Sequence, residues 1–315
     1  MGSTYHRTFT ATVLAALCLS AGVADAATLV ISGAGDGHGV GMSQDGAIGF
    51  AAHGYDYRAI LAHYYTGTAI GAAPAHVRVR VLLGGRVRRV PLEAYVRGVV
   101  ASEMPADAPP AALAAQAVAS RTYALTAHAG GARFDVYADT RSQVYRGRAG
   151  ETPASNLAVA ATAGQIVTYG GRPAITYFFA SSGGRTENVQ NAFPGAAPEP
   201  WLRGVPDPFD QGPLHSWSVS MSFAAVAAHL RGLVPGSLRG IEVLARGYSP
   251  RILAANVLGS KGSTTVAGEV LAARLGLYDT WAYFSVSTGH GVTPEPDRSG
   301  PPPQSAAPAG GAVGP

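Results

Sequence analysis

From Leu92 onward, apolar residues fall at Leu92, Tyr95, Val96, Val99 and Val100. That is the i, i+3, i+4, i+7, i+8 spacing of one helical stripe, and it predicts a helix over 92–102. Glu103 is the next step on the same stripe, since eleven residues at about 3.6 per turn return to nearly the same angle. Pro105, Pro109 and Pro110 stop the helix soon afterwards. Two readings of Glu103 are open on this pattern. Burial raises the pKa of a carboxyl group and suits it to general acid work; alternatively, the side chain escapes to solvent at a fraying helix end.

The same periodicity predicts helices over 42–53, 57–65, 110–128, 222–230 and 265–275, with Gly54 and Gly276 as C-terminal caps. Residues 75–83 (AHVRVRVLL) alternate apolar and Arg, as a half-exposed strand does. Segments 165–169 and 174–179, separated by GGRP, read as a hairpin, 241–244 and 254–258 as a second, and 281–286 as a last strand. The fold class is therefore α+β: one domain over residues 27–286, with room for two lobes.

Composition changes the picture at the ends. His6 and Arg7, the apolar run from Phe9 to Val23 and the Ala24-Asp25-Ala26 site read as a secretory signal peptide over 1–26. Leu17 before Cys18 argues against lipoprotein cleavage there. Cys18 is the sole cysteine, so the mature chain is expected to have no disulfide or thiol chemistry. No later run is long enough to span a bilayer. Residues 287–315 are dominated by Pro, Gly, Ala and Ser and read as a disordered tail. The net charge of +4 is mild, and the small cluster Arg86, Arg88, Arg89 is too sparse for nucleic-acid binding. It suits an anionic polymer such as a cell-wall glycan.

Candidate chemistry lies in four blocks. Gln116 and Arg121 stand within the Ala-rich helix PAALAAQAVASRTYALTAH. Arg121 either pairs with a substrate carboxylate or orients a sugar, or it packs its stem at the surface. In GHGVGMSQ, Gly37, Gly39 and Gly41 allow positive φ and close backbone approach. His38 there either meets substrate or hydrogen-bonds its own loop, and Ser43 and Gln44 stand where a helix cap belongs. The block is neither a dinucleotide fingerprint nor a P-loop. In YFFASSGGRT, Tyr177, Ser181 and Ser182 offer hydroxyls to a ligand or form an ordinary turn; no G-x-S-x-G elbow is present. The nine histidines are dispersed and no HExxH or paired Cys/His spacing occurs, so no metal is expected.

Taken together, VPLEAYVRGVVASEMP, AAQAVASRTYAL, DTRSQVY, YFFASSGGRTE, the LGL at Leu275, and GHGVGMSQDGA with HYYTGT after it resemble the stage II sporulation protein D / amidase-enhancer (SpoIID/LytB) family. The likeness covers most of residues 31–286. It implies a secreted lytic transglycosylase of the cell wall or periplasm, needing no cofactor. Such an enzyme cuts MurNAc–GlcNAc bonds of peptide-stripped peptidoglycan strands and leaves 1,6-anhydro-MurNAc ends. The catalytic acid implied is the Glu of the E-M-P motif, here Glu103. One carboxyl group suffices because the sugar's own O6 is the nucleophile, unlike the carboxylate pair of a hydrolase. Arg121, Gln116, His38, Ser43, Gln44, Tyr177, Ser181 and Ser182 are then the expected substrate-binding residues. The family's other name implies an alternative, a non-catalytic wall-binding protein that stimulates an N-acetylmuramoyl-L-alanine amidase. A structural wall protein tethered by its tail is a third.

Three features depart from the family pattern. GHGVGMSQ, which belongs near the domain's C-terminal end, comes first here. That implies a circular permutation and predicts that the strand near 28–32 lies beside the strand at 281–286. Ala138 and Ser142 stand where some members carry zinc-binding cysteines, so no zinc is expected. Ala114 replaces a lysine common in the second helix.

Overall fold

A computed structural model of the chain describes residues 28–288 and 291–294. The expected signal peptide, Cys18 and the part of the expected tail beyond 294 lie outside the described residues. Eight helices are found among those described: α1 (Gln44–Ala52), α2 (Tyr57–Tyr64), α3 (Leu92–Glu103), α4 (Pro110–Thr126), α5 (Pro153–Ala161), α6 (Val189–Ala192), α7 (Phe223–His229) and α8 (Gly268–Leu275). None is long and apolar enough to cross a membrane. With the sheets described below they make an α+β fold.

Two apolar clusters organise it. The first surrounds α4, whose Ala-rich surface lets its neighbours approach on all sides; thirteen of its seventeen residues are buried. Pro110 at its first turn lacks only an N–H that would have no helical partner. Tyr95, Val96, Val99 and Val100 of α3 pack into this cluster, as their stripe requires. The second cluster joins Leu29, Ile31, Trp217, Ile241, Val257, Leu271 and Phe284. It lies among a four-stranded sheet, in the order Trp217–Ser222, Thr28–Gly33, Ala282–Thr288, Gly291–Pro294, and a three-stranded sheet of Leu238–Arg246, Ile252–Gly259 and Gly262–Ala267.

The strand Thr28–Gly33 pairs antiparallel with Ala282–Thr288, with Ile31 opposite Phe284 and Leu29 opposite Val286. The neighbourhood expected of the two ends of the domain is thus present. The strand Gly291–Pro294 pairs onto Ala282–Thr288, so ordered backbone extends into the stretch read as tail.

Several boundaries differ from the expectation. Met42 and Ser43 are not helical: they pair parallel with Phe178–Phe179, and α1 starts at Gln44. Phe178–Phe179 thereby leaves the expected hairpin, in which only Arg172–Pro173 pairs with Gln165–Tyr169. Residues 265–267 belong to the strand Gly262–Ala267, whose β-branched Thr265 and Val266 lie opposite Asn256 and Ala255. The strand Trp217–Ser222 and α5 were not foreseen. Gly54 and Gly276 take left-handed φ of 85° and 66°, as expected of residues that end helices.

Candidate active site

Glu103 is the last residue of α3, and Met104 leaves the helix in an extended conformation. The carboxyl group is half-buried. Its Oε1 accepts the Val144 backbone N–H at 2.5 Å, and Gln44 Nε2 stands 3.5 Å from Oε2, at the limit of a hydrogen bond. Burial pushes its pKa up; the Val144 amide, Gln44 and the positive charge of Arg146 oppose this, in that order, and burial prevails. The escaped side chain is therefore not what is found.

Buried aromatic rings pack near Glu103. Tyr95 and Tyr145 lie 5.0 Å apart and Tyr123 and Tyr177 6.0 Å apart; burial first, then Tyr123 and the charge of Glu103, raise the pKa of Tyr95. The Tyr95 hydroxyl is buried without a partner. Ser142, from the DTRSQVY block, bonds to Tyr123 and accepts the Tyr137 N–H at 3.1 Å.

The GHGVGMSQ block reaches this site only at its end. Gly37, Gly39 and Gly41 all have positive φ, of 113°, 80° and 76°. A Cβ on Gly41 would lie 2.1 Å from the Tyr177 carbonyl oxygen, and one on Gly39 2.5 Å from Arg251 Nε. The loop is thus threaded between Arg251 and the YFFASSGGRT block, with Asp36 bridged to Ser181 and Val40 to Glu187. This threading delivers Gln44, the first residue of α1, to Glu103.

Most other expected contacts with substrate are replaced by internal bonds. Arg121 is fully buried: it makes two bonds of 2.8 Å to Glu93 and donates to the Gln165 carbonyl at 2.9 Å. It does not pack at the surface, and its guanidinium is taken up by these internal partners. Instead it ties α4 to α3 and to the strand Gln165–Tyr169, because a charge within an all-buried helix must be paired where it lies. Gln116 is also fully buried and donates to Ser120 Oγ at 3.0 Å. Ser43 is the N-cap of α1, accepting the Gly46 N–H. Ser181 and Ser182 are buried and both donate to the Asp210 carboxylate at 2.9 Å.

His38 hydrogen-bonds its own loop, accepting the Val40 N–H at 3.1 Å. Its ring packs against Phe193 and Phe179. Burial, and then the charge of Arg251, push its pKa down to about 4, so it is neutral at ordinary pH. It lines a cavity of about 400 Å³ with Phe193, Arg251 and Tyr278, and Glu103 is not among the residues of that cavity. Of the expected set, Gln44 meets Glu103, and Tyr177 joins the site through Tyr123.

Sequence reasoning missed the Val144 amide, Arg146, Ser142 and the three other tyrosines. The DTRSQVY block holds Ser142, Val144 and Tyr145, with Arg146 next to it, but a backbone donor has no side-chain signature. It also missed Glu93, Asp207 and Asp210, the partners that occupy Arg121, Ser43, Ser181 and Ser182. Among the described residues no group of three or more His, Cys, Asp or Glu is placed to hold a metal.

Residues 84–169 match the SpoIID family, described as Stage II sporulation protein. The chain is similar to stage II sporulation protein D of Bacillus subtilis (strain 168), at 36% identity over 157 residues, covering 44% of this chain and 45% of that protein. The namesake in Bacillus amyloliquefaciens gives 36% over 156 residues, with the same coverage. An uncharacterized protein of Brachyspira hyodysenteriae gives 38% over 140 residues, covering 44% of this chain and 38% of that one. The chain thus spans less than half the length of these relatives. The family segment contains α3, α4 and the Val144 loop but neither GHGVGMSQ nor YFFASSGGRT. The segment that carries Glu103 is thus the part of the chain that matches the SpoIID family.

Proposed function

We propose that the protein is a secreted lytic transglycosylase acting on peptide-stripped peptidoglycan strands, with Glu103 as its general acid and base. The observation that carries this reading is the setting of Glu103. Burial favours its protonated form, and the groups that act on it are a backbone amide, a glutamine and an arginine. None is a carboxylate. A hydrolase pairs two carboxyl groups about 5–9.5 Å apart; a transglycosylase needs one.

In the first step Glu103 donates its proton to the glycosidic oxygen. The bond from MurNAc C1 to that oxygen breaks, and GlcNAc leaves with a free 4-hydroxyl. The glutamate anion is then stabilised by the Val144 N–H and by Gln44. In the second step MurNAc O6 attacks C1, and its proton passes to the glutamate. The product is a 1,6-anhydro end, and the acid is restored without consuming water.

The amidase-stimulating alternative draws on Ala114, which is buried at 7% exposure where the resemblance calls for lysine. A binder has no need of a carboxyl group whose pKa is raised by burial, which favours the enzyme. Mass spectrometry of amidase-treated strands after incubation with the purified protein tests the choice. Anhydro ends are expected; ordinary reducing ends would make it a hydrolase, and intact strands would leave the amidase-stimulating module.

A further inference from the structure

The bond from Val144 to Glu103 lays the segment 142–147 across the end of α3. Tyr145 turns inward against Tyr95. Arg146 is exposed. It is rooted beside the last turn of α3: a Cβ built on Gly150 would sit 3.5 Å from Arg146 Cβ and 3.6 Å from Ser102 Oγ. Arg97 and Arg141 are occupied, by Glu151 at 3.1 Å and Asp139 at 2.7 Å; Arg148 is exposed, and of these arginines only Arg146 acts on Glu103. Arg146 has no ion pair or hydrogen bond among the described residues, yet its charge acts on Glu103. A guanidinium left unpaired beside a catalytic acid is suited to a carboxylate brought by the substrate.

Peptidoglycan supplies one. A stem peptide is joined to MurNAc through an amide on the lactyl group, which is neutral. Hydrolysis of that amide leaves a lactyl carboxylate on the sugar itself. We propose that Arg146 pairs with the free lactyl carboxylate of the MurNAc unit bound next to Glu103 and so selects strands whose peptides have been removed. This rests on the transglycosylase reading above. Pairing also neutralises a positive charge that favours the ionised form of Glu103. The correct substrate therefore strengthens the hold of Glu103 on the proton that it must donate.

The test uses the full chain with Glu103→Gln, which binds without turnover, and the same chain with Arg146→Gln added. The ligands are GlcNAc–MurNAc oligosaccharides with a free lactyl carboxylate or its methylamide, and binding is read by calorimetry. The Glu103→Gln chain is expected to prefer the carboxylate form by about tenfold. With Arg146→Gln both forms should bind alike, at the weaker affinity, and Arg146→Lys should restore part of the preference. In the active enzyme, Arg146→Gln should also move the alkaline limb of kcat/KM to higher pH, a change that a purely structural role would not produce. A preference that survives Arg146→Gln overturns the proposal and leaves the transglycosylase reading intact. If neither oligosaccharide binds and the active protein cuts no strand, the transglycosylase reading falls and the proposal with it.

Discussion

Glu103 accepts the backbone N–H of Val144, a residue 41 positions further along the chain. The bond joins the end of a helix to a loop and holds the carboxyl group at the protein surface without releasing it to solvent. Gln44 approaches the other oxygen from 59 positions upstream. Three separate parts of the sequence therefore set the state of one acid.

The first prediction concerns pH. A general acid works while it is protonated, so activity is expected below the raised pKa of Glu103 and lost as pH rises through it. Gln44 favours the ionised form. Gln44→Ala should therefore raise that pKa and carry the alkaline limb of kcat/KM upward. A limb that stays in place or moves down would contradict the role given to Gln44.

Arg121 is expected to matter for stability. Arg121→Leu removes both bonds to Glu93 and the bond to the Gln165 carbonyl. Glu93 is partly exposed, so the loss should be about 3 kcal/mol, at the low end for a broken buried pair. Arg121→Lys keeps the charge but loses the two-pronged geometry, and should fall in between. Urea midpoints decide this; an unchanged midpoint for Arg121→Leu would mean that the pair contributes nothing.

Asp207 gives stability a pH dependence of its own. It accepts the Tyr64 hydroxyl at 2.8 Å and lies beside Ser182, Asp210 and Ser43. Burial first, and then the charge of Asp210 against the lowering hydrogen bonds, push its pKa up to about 6. The folded state then binds more protons than the unfolded state between about pH 4 and 6. Stability should fall by about 2 kcal/mol as pH rises through that window. Asp207→Asn should flatten this slope in urea titrations at pH 4.5 and 7. A slope of the same size in the variant would assign the effect to another group, Asp45 first, since its pKa also stands at about 6.

The sequence made the acid legible because Glu103 ends an apolar stripe, and that stripe is what α3 buries. It also made Gly37, Gly39 and Gly41 legible as positions of positive φ, though what Gly39 and Gly41 approach closely is Arg251 and the Tyr177 carbonyl. What it hid were partners. Arg121 lies on a buried stripe of α4, but nothing in its own helix points to Glu93, 28 positions upstream. Ser181 and Ser182 look like ligands for a sugar until Asp210 is seen to take both hydroxyls. The turn of Phe178–Phe179 away from its hairpin was hidden for the same reason, since Met42–Ser43 lies far off in sequence. Periodicity reports which side of an element is buried, and not what it is buried against.

In the proposed mechanism one carboxyl group, Glu103, does the work of both acid and base. This is tested most directly by comparing wild type and Glu103→Gln on amidase-treated glycan strands, counting 1,6-anhydro ends and measuring strand binding in parallel. A loss of about a thousandfold or more in anhydro ends is expected, with binding retained. Anhydro ends formed by Glu103→Gln at the wild-type rate would contradict it.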